Sequence, residues 1–390
     1  MRGVRLRLMP WQTHPNPKPE PMTDQNKGPM VLPGATIGIL GGGQLGRMTA
    51  LAAANLGYTC HVFCQRADEP AAQVATQTTI AAFDDQTALD AFAGAIDVAT
   101  FEFENVPIAT LERIARKAPV HPAPAVLAAA QNRLKEKSFA NSLGIATAPF
   151  QAVASVAQLQ AAVDQIGTPA VLKTVRFGYD GKGQVSIKTG TDLDAAWASC
   201  GAGPDTDGAI LEGYVDFDCE ISVIVARGTN GQTSSFVPVE NRHTNHILDK
   251  TIVPAQLPQS TLDAAIDIAN RLAEGFAVVG VLAIEMFVTS AGDVLVNEVA
   301  PRPHNSGHWT IDGCHASQFE QLVRAICGLP LGDPSRRCDA VMKNLIGDDV
   351  EDWPKYLADP TAKLHLYGKA ETRPGRKMGH VTFLRKPVGD

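Results

Sequence analysis

The sequence predicts a mixed α/β and α+β protein. It should open with a doubly wound α/β domain, continue as a strand-rich α+β region and close with a small C-terminal region. Three observations carry this. Between residues 35 and 130, short apolar runs alternate with helical ones, as in "ATIGIL" followed by "QLGRMTALAAANLG". After residue 144, short β-rich runs follow one another with few helices between them. At 390 residues, 45% of them apolar, the chain is too long for one ordinary domain and can bury large cores.

In chain order, "TIGIL" (36–40) is an unbroken apolar run and reads as a parallel strand buried on both faces. "QLGRMTALAAANLG" (44–57) is a helix stopped by Gly57, and "YTCHVF" (58–63) is the next strand. "IDVATFEF" (96–103) is a further strand and "IATLERIARKA" (108–118) an amphipathic helix, which completes a doubly wound domain over 32–130. "QNRLKEKSFANSLG" (131–144) is a helix ended by Gly144 and opens a second region, expected over 131–318. Its strands are "PAVLK", "GQVSIK", "GAILEGYV", "CEISVIVA", "SSFVPV", "VGVLAIEMFV" and "GDVLVNEVA", an antiparallel pattern. The helix "ASQFEQLVRAICG" (316–328) leads into a third region, 319–390, with a basic tail "ETRPGRKMGH". Residues 1–31 are basic, then Pro-rich and polar, without an apolar signal core. They are expected to be a disordered extension, or to precede a start at Met22 or Met30.

A net charge of −7 argues against a general nucleic-acid binder and leaves room for a local basic groove. The seven cysteines are odd in number, with no C-x-x-C pair, which suits free thiols in a reducing cytosol. Cys60 and Cys64, in "CHVFC", read as core. No run approaches the roughly 20 apolar residues of a membrane helix. No G-x-S-x-G or Cys/His nucleophile signature is present.

The chemistry concentrates in a few stretches. "GVLAIEMFV" and "GDVLVNEVA" read as a hairpin. If Ala291-Gly292 is a two-residue loop, Ser290 faces Asp293 and Glu285 falls opposite Glu298. Such partners sit about 5 Å apart at Cβ. Two carboxylates there repel and are costly to bury, and a divalent cation between them, of which Mg²⁺ suits oxygen ligands, resolves the conflict. Solvated or Arg-paired glutamates are the plainer alternative. In "VLKTVRFGYDGKGQ" (171–184), Lys173 ends a strand before a loop with Gly178, Gly181 and Gly183. Free N–H groups and lysines there can close over phosphates, though the stretch is no Walker A loop and ordinary turn chemistry also accounts for it. Glu212 and Glu220 in "LEGYVDFDCEISVIV", beside Tyr214 and Val215, can hold a ribose and an adenine edge, or simply be solvated. "VENRHTNHIL" (239–248) lacks zinc spacing, and His243 is its candidate ligand contact. "FEFENVP" ends a parallel strand, so Glu102, Glu104 and Asn105 are placed to meet a ligand. Ser306, between His304 and His308, reads as a substrate-positioning group rather than a nucleophile.

Together these residues resemble the ATP-grasp superfamily. "GGGQLGRM", "FEFENV", "FGYDGKGQ", "NEVAPRPHNSGHW" and "RPGRKMGH" are similar to signatures of its 5-(carboxyamino)imidazole ribonucleotide synthase family, ATP-dependent carboxylases of purine synthesis. The resemblance covers about residues 35–385 and implies an ATP-grasp architecture: a pre-ATP-grasp α/β domain, a two-lobed ATP-grasp region and a small C-terminal domain. It also implies that Arg133 and Lys173 reach ATP phosphates and that Gly178, Tyr179, Asp180, Gly181, Lys182, Gly183 and Gln184 cover them. Glu212, Gly213, Tyr214, Val215 and Glu220 would hold adenine and ribose, with His243 near the phosphates. Glu285 and Glu298 would ligate Mg²⁺, for which Mn²⁺ can substitute, and Asn297 and Glu298 would meet ATP. Many ATP-grasp enzymes carry Asn two residues after the second Glu, where this chain has Ala300. Strict alternation points Asn297 away from Glu298, so a role for both needs a bulge.

The implied reaction joins bicarbonate to the 5-amino group of 5-aminoimidazole ribonucleotide through carboxyphosphate, giving ADP and phosphate. Tyr179, Asp180, Lys182, His243 and Arg302 are its candidate catalytic residues, Arg302 as the bicarbonate holder. Gly43, Gln44, Leu45, Glu102, Asn105, His304, Asn305, Ser306, Arg373, Arg376 and Lys377 are candidates for the ribonucleotide. The resemblance further implies a cytoplasmic homodimer without nucleic-acid or membrane partners, which passes its product to the N5-carboxyaminoimidazole ribonucleotide mutase. Related rivals are formate-dependent glycinamide ribonucleotide transformylase and biotin carboxylase. A nucleotide-binding regulator without turnover is another rival. The spacing Gly41, Gly43, Gly46 raises a further one, an NAD-dependent dehydrogenase. That fold wants an acid at the end of the second strand, about 20 residues on. Here the strand runs into Cys64-Gln65, and Asp68 and Glu69 follow in a polar turn. The glycine loop is therefore expected to offer backbone N–H groups to an anion, with Gln44, Leu45 and Arg47 as one wall of the ribonucleotide site.

Overall fold

The computed structural model describes residues 30–178, 182–203 and 206–385. Its first sheet is parallel, in the order β3-β2-β1-β4, with β1 Thr36–Leu40, β2 Thr59–Cys64, β3 Gln77–Ile80 and β4 Val98–Phe101. Alternate residues of β1 enter different cores. Ile37 and Ile39 pack with Cys60 and Val62 on one face, and Leu40 packs with Phe63 and Phe101 on the other. Burial on both faces is why β1, β2 and β4 read as largely apolar runs, whereas the edge strand β3 is polar and partly exposed. The helices α1 Gln44–Asn55, α2 Gln86–Ala93, α3 Ile108–Ile114 and α4 Pro124–Ala130 complete this domain. Gly57 takes a φ of +80°, the left-handed turn that stops α1.

The helix α5 Arg133–Ser142 is capped by Asn132, whose side chain accepts the Lys135 N–H. It leads into a small antiparallel sheet of order β5-β8-β6-β7: β5 Phe150–Val153, β6 Ala170–Thr174, β7 Gln184–Ile187 and β8 Ala209–Gly213. The helices α6 Val156–Ile166 and α7 Leu193–Cys200 close its core. The third sheet has nine strands: β9 Cys219–Arg227, β10 Thr233–Ser235, β11 Val239–Thr244, β12 Ile247–Val253, β13 Gly280–Val288, β14 Val294–Ala300, β15 Asp339–Ile346, β16 Ala362–Leu366 and β17 Lys377–Arg385. Its order is β14-β13-β9-β11-β12-β15-β17-β16, with β10 on β9. The strands after residue 319 thus extend the large sheet through β12–β15 pairing.

On one face of this sheet lies α8 Gln259–Gly275, which buries Ala265, Ala269, Leu272 and Ala273 at helical spacing. On the other, α9 Thr310–Gly313 and α10 Gln318–Ile326 lie against α1, and one core holds Ile37, Val62, Ile224, Trp309 and Leu322 together. First domain and large sheet are fused through that core. The expected strand "SSFVPV" is two strands instead, β10 and the start of β11, parted by residues 236–238. Pro238 has no N–H for a ladder.

Among the described residues, four imidazoles are buried: His61, His121, His308 and His380. Burial depresses all four, His121 to about 4 and His308 and His380 well below the usual value. At these four groups the unfolded chain, with imidazoles near 6.5, therefore binds more protons than the folded one between about pH 6.5 and the folded values. The stability these imidazoles contribute should be full above that window and fall as pH drops through it, by up to about 1.4 kcal/mol per pH unit for each such group. Denaturant titration at pH 7.5 and pH 5 checks this. Buried carboxyls raised in the fold, such as Glu136 and Glu220, act in the opposite sense, so the measure is the wild-type stability minus that of His121→Gln: it should fall from pH 7.5 to pH 5, and a constant difference contradicts the reading.

Candidate active site

A cleft of ≈ 1150 Å³ runs between the small sheet, the large sheet and the C-terminal edge of the first sheet. The β13–β14 hairpin forms its floor. Glu285 and Glu298 are register partners, as expected, but by a different route. Val288 pairs with Val294, so the loop is Ser290-Ala291-Gly292 and three residues long, with Gly292 at φ +84°. That shifts the register by one. A bulge then restores it: Met286 pairs with Val296 and Glu285 with Glu298, which leaves Asn297 as the extra residue. The bulge brings Asn297 to the cleft wall beside Glu298.

Burial pushes the Glu285 carboxyl up, but a 3.0 Å contact with His304 Nε2 outweighs it and holds the group down at about 2. Glu298 opens into the cleft, and its position inside the molecule, then Glu285, raise its carboxyl. Glu220 is pushed up to about 7 by burial, then by Glu285 and Glu298. One ligand atom each of Glu220, His243 and Glu285 lie within 4.8 Å of one another, and His243 Nδ1 is 3.2 Å from Glu220 Oε2. Three mutually repelling carboxylates, with the Asn305 amide in the same wall and both its polar atoms buried without a hydrogen-bond partner, make an oxygen-rich donor set. That set fits a hard divalent cation such as Mg²⁺.

Above this floor lie cations. Lys173 Nζ donates to Glu212 Oε2 at 2.8 Å, and Arg133, at the start of α5, reaches the Gly178 carbonyl at 3.3 Å. Lys182, Gln184, Gly213, Tyr214 and Val215 complete this half of the wall. Glu212 lines the cleft but is buried and paired with Lys173 and Lys137, and the two lysines offset the burial that would raise it. Tyr179, Asp180 and Gly181 lie outside the described residues. Gly183 is not in the wall; at φ +69° it shapes the turn, and a Cβ there would meet Thr174 Oγ1 at 2.8 Å.

The glycine loop brings a correction. The anion at the N-terminus of α1 is the protein's own. Glu102, 8% exposed, accepts the N–H groups of Gly43 at 2.8 Å and Gly46 at 3.3 Å. Burial raises its carboxyl, and these two bonds oppose the rise. Glu102 therefore supports the loop as well as lining the cleft, and Gly43, Gln44, Leu45, Glu104 and Asn105 stand beside it. Ser306 is another correction. It is fully buried, shares a 2.8 Å hydrogen bond with His304 Nδ1 and accepts one from Ser222 at 2.7 Å, so it fixes His304 instead of facing the cleft. Arg373 and Arg376 are also absent from the wall. Arg373 pairs with Glu371 on an exposed turn, whereas Lys377 does line the cleft. Arg302 lines it too, bound to Glu104 at 3.0 Å.

Sequence reasoning missed Phe217 and Phe287, stacked 4.6 Å apart in the wall, and Glu136 and Lys137, both buried on α5. The signal for the last two was present. In "RLKEKSFA" two charges occupy the face that also buries Ala140.

Family models match almost the whole described chain: a ribonucleotide synthetase pre-ATP-grasp domain over 34–131, an ATP-grasp domain over 138–319 and a phosphoribosylaminoimidazole carboxylase C-terminal domain over 340–389. The N5-carboxyaminoimidazole ribonucleotide synthase of Brucella melitensis is 49% identical over 355 residues, covering 90% of this chain and 97% of that protein. A bifunctional purine synthesis protein of Dictyostelium discoideum is 47% identical over 368 residues; this chain spans 37% of its length, and the match covers 90% of this chain. A crystal structure of an N5-carboxyaminoimidazole ribonucleotide synthetase in complex with ADP superposes with a TM-score of 0.88 at 42% identity, covering 92% of this chain and 94% of that one. An Aspergillus clavatus synthase in complex with ADP and 5-aminoimidazole ribonucleotide gives 0.82 at 29%, over 90% and 94%. The bulged acidic hairpin and the Glu102-braced loop thus lie in regions that match one family end to end, and the chain belongs to the N5-carboxyaminoimidazole ribonucleotide synthases, a family of ATP-grasp ligases.

Proposed function

We propose that this chain carboxylates the 5-amino group of 5-aminoimidazole ribonucleotide with bicarbonate, at the expense of ATP. The observation that carries the reading is the continuity of the cleft: one wall runs from Lys173 and Glu298 to Gly43, Gln44 and Lys377, so a nucleotide half and a second-substrate half share one enclosure. ATP would lie against Gly213–Val215 and the stacked Phe217 and Phe287, with its phosphates toward Arg133, Lys173 and Lys182. Glu285, Glu298 and Asn297 would hold Mg²⁺, which when bound neutralises charge on the phosphates.

Bicarbonate oxygen attacks the γ-phosphorus, the bond to ADP breaks, and carboxyphosphate forms. Arg302, steadied by Glu104, holds the anion. The ribonucleotide amine then attacks the carboxyl carbon, phosphate leaves, and the amine loses a proton. The chain supplies positioning, charge and exclusion of water, with no covalent intermediate. The ribonucleotide phosphate would meet Gln44, Leu45 and Lys377. The setting proposed is a cytoplasmic homodimer whose product passes to the N5-carboxyaminoimidazole ribonucleotide mutase. Among the described residues, no helix is long and apolar enough to cross a membrane.

ADP formation measured with and without bicarbonate and acceptor tests this. 5-Aminoimidazole ribonucleotide should stimulate ADP release only when bicarbonate is present, and glycinamide ribonucleotide should not. Failure of the first acceptor to stimulate, or equal stimulation by the second, refutes the reading.

A further inference from the structure

The strand β14 is the outer strand of the large sheet, so beyond an isolated bridge from Val296 to Thr147 the groups on its free side have no strand to pair with. α5 covers them with side chains. The Val296 N–H donates to the Ala146 carbonyl at 2.9 Å. One residue on, Lys137 Nζ donates to the Asn297 carbonyl at 2.9 Å, and the Val299 N–H donates to Glu136 Oε1. Consecutive residues of one helix turn thus grip the backbone on both sides of Glu298, and one grip is on the bulge residue itself. Glu136 is 3% exposed and Lys137 2%, an unusual depth for charged groups whose ends meet main chain. Lys137 Nζ is also 3.4 Å from Glu212 Oε1, which ties the grip to the small sheet.

We propose that Glu136 and Lys137 are positioning residues that hold the Asn297 bulge and so set where the Glu298 carboxylate points. The proposal rests on the reading that Glu298 helps hold the nucleotide's Mg²⁺. The physical case is that a bulge is a soft point in a strand, and on its outer side this one has a backbone neighbour only at Val296, where the 146–147 segment meets it, and, among the described residues, none at Asn297 or Val299. Without the two side chains, the strand can relax toward the regular register, in which Asn297 and Glu298 turn to opposite faces. The plainer alternative is that the pair only supports the interior.

The test is calorimetric titration of ADP into wild type, Lys137→Met, Glu136→Gln and Glu136→Met, each with Mg²⁺ and with EDTA. Glu136→Gln keeps an oxygen for the Val299 N–H; the two Met variants keep bulk and lose the contact. The ratio of affinity with Mg²⁺ to affinity with EDTA should fall at least about 10-fold in both Met variants, about 1.4 kcal/mol, and stay within about 3-fold of wild type in Glu136→Gln. Affinity in EDTA should change little in Glu136→Met. An unchanged ratio in the Met variants, equal losses with and without metal, or failure of both Met variants to fold assigns the pair to structural support and overturns the proposal. Should Lys137→Met alone not fold, the two Glu136 variants carry the comparison. A wild-type ADP affinity indifferent to Mg²⁺ overturns the metal reading itself, and this proposal with it.

Discussion

Glu298→Gln should lose at least about 100-fold in kcat and remain fully folded. Removing a charged group that stabilises transferring phosphoryl oxygens through a bound cation costs on the order of 10² or more, about 2.7 kcal/mol of barrier. The fold should not suffer, because the native site does not favour this charge: position and Glu285 together raise the Glu298 carboxyl. An amide of the same shape relieves that repulsion, so the melting temperature should be equal to or above wild type. Steady-state ADP formation and a thermal melt, run together, decide the matter. A variant with wild-type turnover refutes the role of Glu298, and one that melts early makes it a structural residue.

Gly43→Ala should damage the second-substrate half of the cleft and leave the nucleotide half intact. Its backbone, at φ −75°, tolerates a side chain, so conformational strain is not the cause. The obstacle is Glu102, whose carboxylate oxygens would lie 2.6 and 2.7 Å from the new Cβ. The carboxylate must move off the Gly43 and Gly46 N–H groups, leaving buried donors unpaired at a cost of about 1–3 kcal/mol. The loop carrying Gln44 and Leu45 shifts with it. Misplacement of about 1 Å can cost on the order of 100-fold. A rise of at least about 10-fold in KM for 5-aminoimidazole ribonucleotide is expected, with KM for ATP within about 2-fold. Equal changes in both constants would place the damage in the fold as a whole.

The two variants show where sequence reasoning was sound and where it fell short. Glu285 and Glu298 were matched by counting along a hairpin, and the match holds because a longer loop and a bulge cancel. The counting identified the pair and gave no warning of the bulge, since one extra residue leaves no mark in an apolar/polar alternation. The G-x-G-x-x-G spacing did imply an anion at the start of α1. That the anion is Glu102, 59 residues beyond Gly43, depends on β4 lying beside β1.

What the sequence by itself determined is local and periodic: the buried parallel strands, the glycine-stopped helices, the acidic hairpin and the lysine before the glycine loop. Each is legible because side-chain period and turn chemistry are written within about ten residues. Only the tertiary structure decided what depends on contacts across long separations. Among these are the capture of the loop by Glu102, the burial of Ser306 against Ser222, the continuation of the large sheet through β15–β17 and the grip of Glu136 and Lys137 on the strand that carries Glu298. The physical reason is that a buried charge is tolerable only beside a partner. For Glu102 and Glu136 that partner is backbone from a distant segment, which carries no residue type to be read in advance, and for Lys137 it is the Asn297 carbonyl together with the Glu212 carboxylate.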